Sequence, residues 1–170
     1  MRKLQILKTL LDLFWFFSLI SLVAIVIFIP FYLTGSAGEI PVRIKGQEIA
    51  NDDLFSKIVV VLNVISGLFF VYSVFLLRKV VTHFQKRDIF NIEVIKYFNL
   101  IGKLIIVSSI LTNVTLFIFN AVKRNHADLS IDFGGYDSFI LSLCLGLFFM
   151  VISEVFKIAK NIKEENELTI

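Results

Sequence analysis

Charged side chains make up only 18% of this 170-residue chain, and it contains a single cysteine. So little charge, set against 57% hydrophobic residues and nineteen phenylalanines, excludes a soluble domain with alternating apolar and polar faces. The lone thiol, Cys144, excludes an intramolecular disulfide, and its place inside an apolar run marks it as a small packing residue rather than a reactive group. No catalytic, metal-binding or nucleotide-binding constellation is present, so neither an enzymatic activity nor a cofactor is expected. The net charge of +3 is dispersed around apolar segments instead of gathering on one face, which excludes direct nucleic-acid binding.

What is present is four apolar runs, at 13–33, 58–77, 104–122 and 138–156. Each is close to the ~20 residues that a helix needs to cross about 30 Å of hydrocarbon. With no water to satisfy backbone donors and acceptors, runs this long must be helical. The expected fold is therefore an all-α membrane protein, a single domain over 1–170 built as a four-transmembrane-helix bundle. Lys and Arg concentrate in the N-terminal tail, in the loop at 78–103 and in the tail at 157–170, whereas the loops at 34–57 and 123–137 balance their bases with acids. The positive-inside rule then puts both termini in the cytoplasm and those two loops outside. A cleaved signal peptide is the rival reading of the first run, which is long for one and has no clean small-x-small site after it.

The outer loops carry strand periodicity. Ile40, Val42 and Ile44 alternate with Pro41, Arg43 and Lys45 before Gly46-Gln47, and Leu129, Ile131 and Phe133 alternate with polar residues before Gly134-Gly135. The two segments are expected either to pair into a small extracellular β-sheet or to remain partly ordered loops.

In the central loop the second helix is expected to run to Phe84, the chain to turn through residues 85–90, and Asn91 to cap a third helix with Glu93 in its first turn. Phe84, Ile89, Phe90 and Ile92 make this loop unusually apolar, which suits either juxtamembrane anchoring or a partner surface. The tail continues the fourth helix, with Glu164, Glu165 and Glu167 on its solvated side. Phe84, Phe90, Asn91, Glu93 and these three acids form the candidate partner surface.

Few polar residues fall inside the spans. Ser66 and Asn113, with Thr112, Gly67 and Gly146, are expected at similar depth as a packing layer of small and amide residues, with Asn63 nearer the outer face, the alternative being an ion or substrate site built from Asn63, Asn113, Thr112 and Ser66. Asp12 and Glu154 share a depth at the cytoplasmic boundary. Ion pairs to Lys8, Lys103 or Lys157 account for them more economically than a shared cation does.

The central stretch Phe90-Asn91-Ile92-Glu93, followed by Ile101-Gly102, and the ending Glu154-Val155-Phe156-Lys157 with its acidic EENELTI tail, resemble the small membrane proteins of Domain of Unknown Function 2975. The resemblance implies a bacterial inner-membrane protein with no established activity or cofactor, often encoded beside a small helix-turn-helix regulator. Two readings of function follow. One is a binding or regulatory membrane protein whose cytoplasmic loop and tail meet a regulator protein, and the other is a channel or transporter subunit that needs a homo-oligomer to form a pore. The lipid bilayer is a partner in both.

Overall fold

A helix that must carry its own backbone hydrogen bonds across hydrocarbon has no reason to stop at the membrane surface while its outer turns find polar partners. The computed structural model, which describes residues 2–34, 42–49, 53–123 and 138–168, accordingly has helices longer than the apolar runs. They are α1 (Arg2–Thr34), α2 (Leu54–Gln85), α3 (Ile92–Lys123) and α4 (Phe139–Leu168), and each is long and apolar enough to cross a membrane. Two short strands, β1 (Val42–Ile44) and β2 (Gln47–Ile49), lie between α1 and α2.

The helices pack in chain order, α1 on α2, α2 on α3 and α3 on α4. Side-chain pairings fix the directions as antiparallel throughout. Trp15 packs on Phe75, Phe55 on Phe119, Phe84 on Phe98, and Phe98 on Phe149. One end of the bundle therefore holds the start of α1, the α2–α3 turn and the end of α4, and the opposite end holds the hairpin. The contact between α3 and α4 is closest at Gly102 and Gly146, where a β-carbon on either glycine would collide with the other's carbonyl oxygen. Small residues that allow backbones to meet replace the hydrophobic drive that lipid cannot supply.

Gly67 does not belong to that contact. It is exposed, and a β-carbon built there meets nothing within 4 Å, so the expected pairing of Gly67 with Gly146 in one packing layer is corrected to Gly102 with Gly146. The residue facing α3 at this level of α2 is its neighbour Ser66, and a helix turns about 100° per residue.

A small two-stranded sheet is present among the described residues, and both of its strands come from the first loop. Val42 pairs with Ile49 and Ile44 with Gln47 across a turn at Lys45-Gly46. Both turn residues have positive φ, 48° and 77°, which is the two-residue turn whose twist matches that of antiparallel strands. The second strand-like segment, 129–133, lies outside the described residues. An isolated hairpin is marginal in water. This one is held because Ile49 is fully buried among Tyr32, Val59, Val60, Leu116 and Phe119, with Val42 and Ile44 against the same cluster.

Candidate functional site

At the terminal end, the α2–α3 turn is closed by a polar clasp. The Asn91 side-chain oxygen accepts from the Glu93 amide at 2.9 Å and so caps α3 as expected, while its amide donates to Asp88 at 2.6 Å. His83 lies between the Asp88 and Glu93 carboxylates, at 3.3 and 3.5 Å. The Asn91 amide, with His83 as a lesser contributor, holds the Asp88 carboxyl below the usual carboxylate range. The turn also needs Arg87 in the left-handed region, at φ 60°.

Behind the clasp the loop and the tail are joined by aromatic rings. Phe156 of α4 stacks on Phe84 at 5.8 Å between centroids and meets Phe98 at 5.4 Å and Phe90 at 6.3 Å. Lys163 sits over the Phe90 ring at 5.9 Å, and the Ser153 hydroxyl donates to the Ile95 carbonyl at 2.8 Å. Of the candidate partner surface, Phe84 and Phe90 thus converge with Asn91 and Glu93. Glu164 and Glu167 pair within their own helix, with Lys160 at 3.4 Å and Lys163 at 3.7 Å, and Glu165 is exposed one turn from the helix end.

Beside this surface, between α3 and α4, lies an open cleft of about 540 Å³. Lys96, Lys103, Lys157 and Lys160 line it together with Asn99 and Asn161, and Glu154 is its one acid. The lysine spacing was in the sequence, seven residues apart on one helix and three on the next, but only the antiparallel pairing of α3 with α4 brings the two sets together.

The boundary carboxylates separate. Asp12 pairs with Arg78 of α2, not with Lys8, Lys103 or Lys157, and Lys8 instead donates to Gln85 at 3.1 Å. Glu154 lines the lysine cleft between α3 and α4, and among the described residues it makes no ion pair within 4 Å. Packing in chain order puts α1 and α4 on opposite flanks, so Asp12 and Glu154 do not share a site.

At the centre, Ser66 is the hub of the expected polar layer. Its hydroxyl lies 2.6 Å from the Thr112 hydroxyl and donates to the Ser108 carbonyl at 2.7 Å, and Ser108 returns a bond to the Ser66 carbonyl at 2.9 Å. Asn63 and Asn113 stand outside this knot. Each returns its amide to its own helix, to Val59 and Ser109. The Asn113 oxygen accepts instead from Lys45 of the hairpin turn at 3.1 Å. At about 1.5 Å per residue Asn113 lies some 15 Å along α3 from Lys123, midway along the apolar run at 104–122. Sequence reading missed Lys45. The signal was the Lys-Gly pair between alternating apolar residues, which marks a hairpin tip but not its depth.

At the hairpin end, Asp53 caps α2 by accepting from the Ser56 amide at 3.0 Å and pairs with Lys123 at 2.8 Å. The Lys123 ammonium and then the Ser56 contacts pull its pKa down to about 2.

Four antiparallel apolar helices with polar ends define a multi-pass membrane protein. A family model described as "Protein of unknown function (DUF2975)" matches residues 12–170, and the chain belongs to that family. No curated protein and no solved structure matches the chain.

Proposed function

We propose that this is a binding, regulatory membrane protein of the bacterial inner membrane, with both termini in the cytoplasm, that engages a regulator protein through the face where residues 84–97 meet the α4 tail. The observation that carries this reading is the ring cluster of Phe84, Phe90, Phe98 and Phe156, which makes loop and tail one surface instead of two mobile connections. Aromatic pairs add roughly 0.5–1.5 kcal/mol each beyond area burial. Beside that surface the cleft sets four lysines against one acid, so it suits an acidic segment of the partner.

The test is purification of the full chain, of a Lys96→Glu/Lys157→Glu double variant and of a chain lacking residues 163–170. The expected result is one protein retained at fixed stoichiometry by the full chain and lost from both variants, while all three keep the same helical content. Retention by both variants contradicts the reading.

A further inference from the structure

The lysine cleft between α3 and α4 is short of anions. Among the described residues Lys96, Lys103 and Lys157 make no ion pair within 4 Å, and Lys160 pairs with Glu164 at 3.4 Å, so Glu154 is the one carboxylate set among three unpaired ammonium groups. The face that carries the α3 lysines does not end with them. Lys96 and Lys103 stand seven residues apart, and Val107, Ile110 and Val114 follow at intervals of four, three and four, so all five share one face of the helix, and all five are exposed. On α4 the apolar Val151 and Val155 are exposed as well.

The Gly102–Gly146 contact and the Ser153 bond to Ile95 set the register of the two helices. In that register the α4 apolar run, which ends at Phe156, reaches the level of Ile92, eleven residues past Lys103 on the way to the α2–α3 turn. Lys103 and Lys96 therefore stand beside turns of α4 that are still apolar, at the edge of the hydrocarbon. A cation there is costly unless an anion or the headgroup layer meets it.

We propose that an anionic phospholipid of the surrounding leaflet seats its head among Lys96, Lys103 and Lys157 and lays its acyl chains along Val107 and Ile110. The ammonium groups offer the phosphate opposite charge and donors, and Asn99 and Asn161, which also line the cleft, offer neutral donors and acceptors to ester and glycerol oxygens. A soluble acidic ligand would meet the lysines and leave the apolar continuation of the same face uncovered. A zwitterionic lipid would cover that face and bring no net charge to the lysines. Lipid binding does not need the partner reading proposed above, but one consequence rests on it: the same lysines meet the partner's acidic segment, so head and segment exclude one another and the leaflet competes with the partner for the cleft.

The full chain is titrated in a non-ionic detergent with phosphatidylglycerol and, separately, with phosphatidylcholine of the same acyl chains, and the lipid-bound fraction is read by native mass spectrometry. The expected result is one saturable site for phosphatidylglycerol, with half-saturation raised about tenfold or more for phosphatidylcholine. Lys103→Gln/Lys157→Gln, at two exposed positions, is expected to bring the two lipids to equal affinity with helical content unchanged. Lys3→Gln/Lys86→Gln removes the same charge outside the cleft, at the same end of the bundle, and is expected to keep the preference. Equal half-saturation for the two lipids on the unmodified chain overturns the proposal without relying on any variant, and so does a preference that both double variants lose alike. Hexaglutamate, standing in for the acidic segment, is expected to raise the half-saturation for phosphatidylglycerol, and a value that does not move with the peptide overturns the competition. Because these titrations use the chain alone, their failure leaves a retained partner standing, whereas a partner kept by both purification variants while the lipid still binds strikes the partner reading alone.

Discussion

The carbonyl oxygen of Gly102 lies 2.9 Å from the point where a β-carbon on Gly146 would stand. The backbones of α3 and α4 therefore touch there with no side chain between them, and the flanking atoms are Ile106 and Met150, packed from either side. The same α3–α4 seam carries the Phe98–Phe149 stack and the Ser153 bond to Ile95.

Substitution at that contact separates the helices. Gly146→Leu is expected to lower the stability of the detergent-solubilised protein by at least the roughly 1–3 kcal/mol typical of overpacking, read as a drop in thermal midpoint. Gly67→Leu, placed in open space, is expected to leave the midpoint unchanged. Equal losses at the two positions would mean that the close approach lies elsewhere.

Acid should weaken the hairpin end of the bundle through Asp53. Its folded pKa, about 2, lies below the ordinary carboxylate value near 4, so the folded state favours the ionised form. That contribution is fully present above about pH 4 and is lost as pH falls through about 2. The difference in thermal midpoint between the native chain and Asp53→Asn is expected to be flat near neutrality and to shrink below about pH 4. A difference that grows on acidification would assign the wrong sign to the Lys123 and Ser56 contacts.

Orientation is testable with single cysteines in a Cys144→Ala background. Gly134→Cys, in the second loop expected outside, is expected to react with a membrane-impermeant thiol reagent in intact cells, whereas Gln85→Cys and Asn166→Cys are expected to react only after lysis. The hairpin tip itself, Gly46, is a poor reporter, because its φ of 77° strains any side chain. Labelling of position 85 from outside would invert the orientation.

Much of this architecture is legible before any coordinates, for an identifiable reason. Span positions follow from the energetics of hydrocarbon, which act residue by residue, and the Asn91 cap follows from a local hydrogen bond two residues long. The Asp12–Arg78 pair, the Gly102–Gly146 contact and the Lys45–Asn113 bond were not legible, since each depends on how one helix is rotated against another. Almost uniformly apolar helices carry little facial pattern from which rotation can be read. Ser66 was a fair candidate because polarity in lipid is rare, but its partners, Ser108 and Thr112, were not distinguishable from Asn113 one residue on. The hairpin's depth is the largest gap, as an alternating segment beside a span looks the same whether it lies on the membrane or descends into it.

The hairpin is also a constraint on biosynthesis. It lies between α1 and α2 in the chain, yet Ile49 is buried against Leu116 and Phe119, and Lys45 bonds Asn113, all on α3. A ribosome delivers those residues only after α2, so the first two spans and the ribbon between them must wait, incompletely seated, until the third has entered the bilayer. The first loop is thus a latch that closes behind a later segment, and a chain arrested before α3 emerges would leave Lys45 without its Asn113 acceptor.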